Sequence, residues 1–164
     1  IKTPMIMTWK NKIKSNTQFD GFTSALDIFK TSLEVSNVND DLMANADGKN
    51  IMNYLNDNTI QNKNLFWRKD KMATVRSGNY KLIRLNDTST VLYNIENNFF
   101  EDLDLKLIEP LIHDSLFKVL SAWEDRLIDP NWIENKDWNI VTEMIYEDLM
   151  ANKNIRAVSP KDLN

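Results

Sequence analysis

The stretch from Leu65 to Leu85 constrains the fold more than any other part of the sequence, because it carries a β-hairpin signal. Gly78-Asn79 separates two apolar-rich segments, and glycine at the first central position permits the positive φ of a type II′ turn. A two-residue turn fixes the register of its strands. The predicted cross-strand pairs are Ser77 with Tyr80, Val75 with Leu82, Thr74 with Ile83, and Ala73 with Arg84.

This register predicts a sheet with large apolar side chains on both faces, so we expect both faces to be at least partly covered. It also places Arg76 directly opposite Lys81, and like charges in that position destabilise a sheet unless an anion lies nearby. A structural carboxylate or an anionic ligand could supply that charge.

The segment ahead of the hairpin predicts a strand followed by a helix. Thr3 to Trp9 is nearly all apolar, which is typical of a strand buried on both faces of a parallel sheet. Asp20 to Val35 has helical spacing, with Asp20 or Thr23 as N-cap and one buried apolar stripe formed by Phe22, Ala25, Leu26, Phe29 and Leu33. A short helical turn is expected over Lys49 to Leu55.

The segment after the hairpin predicts one more strand and two helices. Val91 to Ile95 completes an antiparallel sheet of about four strands. Glu109 to Ile128 is the clearest helix, with Pro110 in its first turn and an apolar stripe suited to lie on that sheet. Trp138 to Leu149 is expected to form the last helix. The residues alone therefore indicate an α+β chain.

Composition excludes several classes of function. The net charge is −4 and the basic residues are scattered, which argues against a nucleic-acid partner. No apolar run is long enough to span a bilayer. The absence of cysteine excludes disulfides, thiolate metal sites and a cysteine nucleophile within these 164 residues.

Few residues carry the patterns of catalysis or metal binding. His113 is the only histidine; it lies in the first turn of the long predicted helix and is expected to pack or face solvent. The acidic clusters at Asp40-Asp41, Glu101 to Asp104 and Glu124-Asp125 lack the spacing of a calcium loop and are expected to be solvated. No phosphate-binding glycine loop is present.

The strongest local candidate for binding is an aromatic residue beside three cations at the end of a strand. A Trp ring can stack on a sugar while cations bind its sulfate groups. The alternative is a Trp buried under the sheet beside a solvated basic turn. The predicted substrate-binding residues are Trp67, Arg68, Lys69 and Lys71.

The order of motifs resembles the C-terminal part of the formylglycine-dependent, or type I, sulfatases (arylsulfatases). TPMIMTW is similar to the family's strand V-P-x-I-x-x-W, and Ser24, Asp27 and Thr31 match its helix S-x-x-D-x-x-P-T. ADGKNIM resembles the D-G-x-x-L turn, LFWR with ATVRSGNYKLIRL resembles the L-F-W-R strand and following hairpin, and VLYNIENNFFEDLDL resembles the next strand and connector. LFKVLSAWEDRLIDPNW is similar to the closing helix. Lys10 and Asn11 replace Pro-Gly, and Lys30 replaces the helix proline.

The resemblance implies a C-terminal piece of an alkaline-phosphatase-like α/β sulfatase fold. Residues 1–60 would be the last strand and helix of the catalytic domain, 61–128 an antiparallel-sheet-plus-helix subdomain, and 129–164 a helical extension. It implies a partner, the N-terminal catalytic part, which would contain formylglycine and a divalent cation, usually calcium. No catalytic or metal-binding residue is carried over to this chain, which has no Cys or Ser-x-Pro-x-Arg.

The implied activity of the whole enzyme is hydrolysis of sulfate esters, of a sulfated carbohydrate or an aryl sulfate, in the periplasm or outside the cell. This chain alone is expected to be inactive. A phosphodiesterase or phosphonate hydrolase of the same superfamily is the nearest alternative. A non-catalytic binding or interaction module descended from such an enzyme is another.

Overall fold

A computed structural model describes residues 3–37, 45–57, 64–86, 89–129, 131–132 and 134–163. The chain divides into two compact units, Ile1–Lys63 and Asn64–Asn164. The acidic pair at residues 40 and 41 lies outside the described residues. Each unit is described by itself.

The first unit contains helices α1 (Ala25–Val35) and α2 (Ile51–Asp57). Ser24 caps α1 in a capping box, since the Asp27 carboxylate accepts a hydrogen bond from the Ser24 backbone N–H at 2.8 Å. The prediction that Asp20 or Thr23 caps this helix is wrong. A capping box needs an acidic or amide side chain three residues after the cap, and Asp27 supplies it for Ser24.

A polar joint connects α1 to the turn that leads into α2. Asp27 Oδ1 also accepts from the Lys49 backbone N–H at 2.8 Å. The Thr31 hydroxyl donates to the Asp27 carbonyl at 2.6 Å and accepts from the Ile51 N–H at 2.8 Å. Gly48 has φ +94°, and a Cβ there would lie 2.5 Å from a carbonyl oxygen in the first turn of α1. Two of the residues that carry the sulfatase resemblance, Asp27 and Thr31, therefore have a structural role here.

Helix α1 buries its polar side and exposes its apolar side. Asp27 is fully buried and Thr31 is 5% exposed, whereas Leu26 and Phe29 are 56% and 53% exposed. The predicted buried apolar stripe is therefore wrong for this structure. The physical reason is the polar joint: it turns Asp27 and Thr31 toward α2, and at 100° per residue the apolar stripe then lies on roughly the opposite side of the helix.

Residues 3–9 do not form the predicted strand. A strand requires a neighbouring segment with which to exchange backbone hydrogen bonds, and the described part of the first unit contains no strand at all. Ile6 is 92% exposed.

The second unit is built on an antiparallel sheet in the order β1-β2-β3-β4. Its register confirms the sequence prediction: Ser77 pairs with Tyr80, and the other three predicted hairpin pairs follow. Gly78 has φ +55° while Asn79 has a negative φ, as a type II′ turn requires. The strands are β1 (Asn64–Lys69), β2 (Met72–Ser77), β3 (Tyr80–Arg84) and β4 (Thr90–Asn94).

Helix α3 (Pro110–Glu124) packs on one face of this sheet. The core between them includes Leu116 and Leu120 from the helix, and Trp123 stacks on Phe66 of β1 with ring centroids 4.8 Å apart. The helix ends at Glu124, four residues before the predicted end. The α+β class and the four-stranded sheet with a long helix packed on it are confirmed. The core residues from the sheet are Ala73, Val75, Leu82 and Leu92.

The opposite face of the sheet is also covered. Tyr93 and Val91 on β4 are 3% and 1% exposed. Lys81 forms an ion pair with Glu101 at 2.7 Å, so a structural carboxylate offsets the repulsion between Arg76 and Lys81. Burial, together with nearby carboxylates that include Glu101, raises the pKa of Tyr93 to about 12.

The last elements are helix α4 (Lys136–Met150) and a 3-10 helix (Pro160–Leu163). Asp148 of α4 is buried and bonds to Arg156, with Arg156 Nε 2.7 Å from Asp148 Oδ1. Those hydrogen bonds lower the pKa of the Asp148 carboxyl. Within the described ranges, no helix is both long and apolar enough to cross a membrane.

Candidate functional site

The strand geometry divides the four predicted binding residues between the two faces of the sheet. Arg68 pairs with Ala73, a core residue under α3, so its side chain lies on the α3 face. Trp67 and Lys69 alternate with it and lie on the opposite face. Trp67 is 44% exposed, which differs from the alternative of a Trp buried under the sheet. The structure therefore keeps Trp67 and Lys69 on one face and separates Arg68 from them.

Arg68 belongs to a charge cluster at the end of α3. Its Nε lies 3.8 Å from Glu124 Oε1 and donates to the Asp70 carbonyl at 3.0 Å. Arg84 Nη2 lies 2.7 Å from the same Glu124 oxygen, and the Glu124 side chain is only 10% exposed. The Glu124 carboxylate therefore holds the two guanidinium groups against α3, which gives Arg68 a structural role in this structure.

Lys69 and Lys71 line a cavity of about 430 Å³ at one end of the sheet. Its floor is apolar and consists of Met72 from β2, Leu85 directly after β3, and Ile140 from α4. Met72 pairs with Lys69, so the cavity lies on the face opposite α3. This volume is within the usual range for ligand sites, about 300–1,000 Å³.

The β1–β2 turn beside the cavity is held in a specific conformation. Asp70 has φ +51°, a left-handed conformation that aspartate tolerates better than most residues. Lys69 Nζ lies 3.1 Å from Glu134 Oε2. With its amide nitrogen facing the acids, Asn139 donates to Glu134 Oε2 at 2.8 Å and to Asp70 Oδ2 at 2.9 Å. The turn and the start of α4 are therefore connected by charged and amide groups.

The cavity contains three lysines and two acids, and the groups differ in how they are paired. Lys69 is bound to Glu134 as above, and the Glu143 carboxylate accepts from Asn86 Nδ2 at 2.8 Å. Lys71 and Lys136 form no ion pair within the part of the chain that the structure describes. Their two ammonium groups are the cations of this site that are available to an added anion.

Sequence reasoning missed the α4 side of this site. Lys136, Asn139, Ile140, Thr142 and Glu143 line the cavity, but they lie more than sixty residues after the β1–β2 turn. No local pattern connects these two segments. The alternation along β1, in contrast, could have separated Arg68 from Lys69.

His113 has a packing role. Its Nε2 lies 2.9 Å from the Thr90 hydroxyl, and its Nδ1 lies 3.0 Å from Asp114 Oδ1. The ring stacks on Phe117 with centroids 6.2 Å apart. These contacts tie the first turn of α3 to the start of β4.

The acidic clusters that the structure describes are partly structural rather than fully solvated. Glu101 binds Lys81, and Asp104 Oδ1 accepts from the Leu92 backbone N–H at 3.0 Å. Glu124 binds Arg84. No three His, Asp or Glu side chains in the described ranges converge on a common metal position.

The arrangement is that of an α+β protein: an antiparallel meander with a helix on one face and a small cavity on the other. Solved structures with this fold include the crystal structure of Ps i-CgsB, a carrageenan sulfatase-like protein. That chain matches with a TM-score of 0.66 and 20% identity, over 86% of this chain and 33% of that chain. Ps i-CgsB in complex with k-i-k-neocarrahexaose matches with a TM-score of 0.66 and 19% identity, over 89% and 34%.

This chain thus spans about a third of the length of these solved proteins. No protein-family model matches the sequence. A search of curated proteins also finds no match.

Proposed function

We propose that this chain is the C-terminal part of a sulfatase that hydrolyses sulfate esters of a sulfated carbohydrate. The observation that carries the proposal is the shared fold with a third of Ps i-CgsB. The order of sulfatase-like motifs in the sequence supports it independently. The binding of neocarrahexaose by Ps i-CgsB favours a sulfated galactan as the class of substrate.

The exposed apolar side of α1 also supports a larger protein. Helix α1 buries Asp27 and Thr31 and exposes Leu26 and Phe29. This burial pattern is expected of a helix that packs with its polar side on its own unit and with its apolar side on a further apolar surface. Covering such side chains contributes about 25 cal/mol per Å² of apolar area. The N-terminal catalytic part is the partner that we propose for this surface.

In this proposal the chain supplies substrate binding and no catalytic step. Formylglycine and a divalent cation would provide the nucleophile and the charge stabilisation in the N-terminal part. The residues that we propose for substrate contact are Trp67, Lys69 and Lys71, on the sheet face opposite α3. Arg68 would act indirectly, through its position in the Glu124 cluster.

The test is release of sulfate from an aryl sulfate and from a sulfated galactan oligosaccharide. We expect no release by the 164-residue chain and release by a longer polypeptide that includes the preceding catalytic part. Release by the 164-residue chain alone would overturn the proposal. So would a longer polypeptide that carries formylglycine and releases no sulfate from either substrate.

One observation favours a second candidate, a non-catalytic binding module. The second unit has its own sheet, its own core and the cavity, so it does not need α1 to form a binding surface. Carbohydrate binding by a natural protein that has this chain but no catalytic part would favour the module.

A further inference from the structure

We propose that the cavity between the β1–β2 turn and α4 binds one sulfated sugar unit, with Lys71 and Lys136 as the residues that bind its anionic group. The inference relies on the proposed function only for the choice of a sulfated sugar as ligand. It adds α4 to the binding surface, and it replaces Lys69, which is paired with Glu134, with Lys136 as the second cation beside Lys71.

The pairing of charges around the cavity identifies these two lysines. Lys69 is held by Glu134 at 3.1 Å, and Arg68 is engaged by Glu124 on the other face of the sheet. Lys71 and Lys136 have no such partner in the described ranges, and both line the cavity. A bound anion would therefore gain two ion pairs without breaking an existing one.

The two carboxylates of the cavity are already engaged. Glu143 accepts from the Asn86 amide and Asp70 accepts from the Asn139 amide. These hydrogen bonds reduce the repulsion that the carboxylates would exert on an anion. The same amides keep the carboxylate oxygens in place as acceptors for sugar hydroxyl groups.

The floor of the cavity suits the carbon face of a sugar ring. Met72, Leu85 and Ile140 form an apolar surface, and a sugar presents C–H groups on one side and hydroxyl groups at its edge. The volume of about 430 Å³ is large enough for one sugar with a sulfate group and small for a longer segment of chain. The charged rim and the apolar floor therefore favour a ligand that has both an anionic group and an apolar ring face.

The experiment is calorimetric titration of the 164-residue chain with k-i-k-neocarrahexaose and with the same hexasaccharide after chemical desulfation. We expect the sulfated sugar to bind and the desulfated sugar to bind at least about tenfold more weakly. Lys71→Ala and Lys136→Ala should each weaken binding about two- to fivefold, as expected for an exposed ion pair. The double variant should lose about tenfold, and binding should weaken with added salt.

Two further variants separate this site from a general charge effect. Lys118→Ala removes an exposed lysine from α3, on the opposite side of the sheet, and should bind like the original chain. Ile140→Trp fills the floor but keeps every charge, and should abolish binding. Thermal melts of all variants establish that each is folded.

Several results would overturn the inference. These are the absence of binding, equal affinity for the desulfated sugar, an unchanged double variant, or an equal loss in Lys118→Ala. Sulfate release is not measured in this experiment, so the outcome is distinct from that of the proposed function. Binding with the expected losses in the variants would support the sugar-binding site in the cavity, even if none of the longer polypeptides released sulfate.

Discussion

Replacing Asp27 with alanine tests the polar joint of the first unit. The carboxylate accepts hydrogen bonds from the Ser24 and Lys49 backbone N–H groups, each at 2.8 Å. Leaving a buried donor without a partner costs about 1–3 kcal/mol. Both donors are only partly buried, so water can satisfy them in part, and we take about 1 kcal/mol for each. The value taken for the Ser24 N–H already includes the loss of the capping interaction. The expected destabilisation is about 2–3 kcal/mol once the void left by the side chain is included.

Amide hydrogen exchange measures this change locally. Since 1.4 kcal/mol is a factor of ten, the protection of the Ile51 amide in the Asp27→Ala variant should fall by about 30- to 150-fold. Asp20→Ala is the matched control, because Asp20 is exposed and, among the described residues, its carboxylate accepts only from the nearby Gln18 side chain. We expect the control to change protection by less than about threefold, as for a surface substitution. Equal effects of the two substitutions would refute the buried joint.

Three further predictions concern the second unit. Arg84→Met should lower the free energy of unfolding by about 2 kcal/mol, because it leaves the buried Glu124 carboxylate with only the weaker Arg68 contact. Arg68→Met should cost under about 1 kcal/mol by the same urea titration, and equal costs would contradict this assignment. The pKa of Tyr93 is raised from 10.0 to about 12, so its contribution to stability is complete below pH 10 and is lost as the pH rises toward 12. Tyr93→Phe should therefore flatten the alkaline decline in melting temperature, and an unchanged decline would argue against it. The pKa of Asp148 is lowered from 3.8, so its contribution is present above that value and is lost as the pH falls below it. Asp148→Asn should be less stable at pH 7 and lose less stability on acidification, whereas a parallel pH profile would count against the bond to Arg156.

The hairpin was predictable because local chemistry fixed it. Gly78 at the first position of a two-residue turn sets which residues face each other, and alternating side chains then define the two faces. Every predicted pair from Ser77–Tyr80 to Ala73–Arg84 is found. The side of α3 that contacts this sheet was also predictable, because the helix has a single apolar stripe that can be buried.

The orientation of α1 was not predictable from its apolar spacing. The spacing indicates the side that would be buried in a complete core, but the hydrogen bonds of Asp27 with Ser24 and Lys49 decide which side faces α2. A capping acid that also binds a turn more than twenty residues later has no signature in local periodicity.

The candidate binding site was predictable only in part, for a related reason. A strand and its turn present Trp67, Lys69 and Lys71 in a known alternation, so their region could be chosen from the sequence. Lys136 and Ile140 reach the cavity that Lys69 and Lys71 line through tertiary packing of α4, which the sequence does not reveal. Nor does the sequence show that Glu124 engages Arg68.

The coding sequence ahead of Ile1 in the natural gene tests the sulfatase origin most directly. We predict one continuous reading frame that encodes a larger catalytic part, with a Cys or Ser in the pattern C/S-x-P/A-x-R. The mass of the natural protein should then be about three times that of this chain, in line with its one-third coverage of Ps i-CgsB. A reading frame that begins at this segment, with a natural product of 19.2 kDa, would contradict the proposal that the chain is part of a sulfatase. The non-catalytic binding module would then be the remaining candidate.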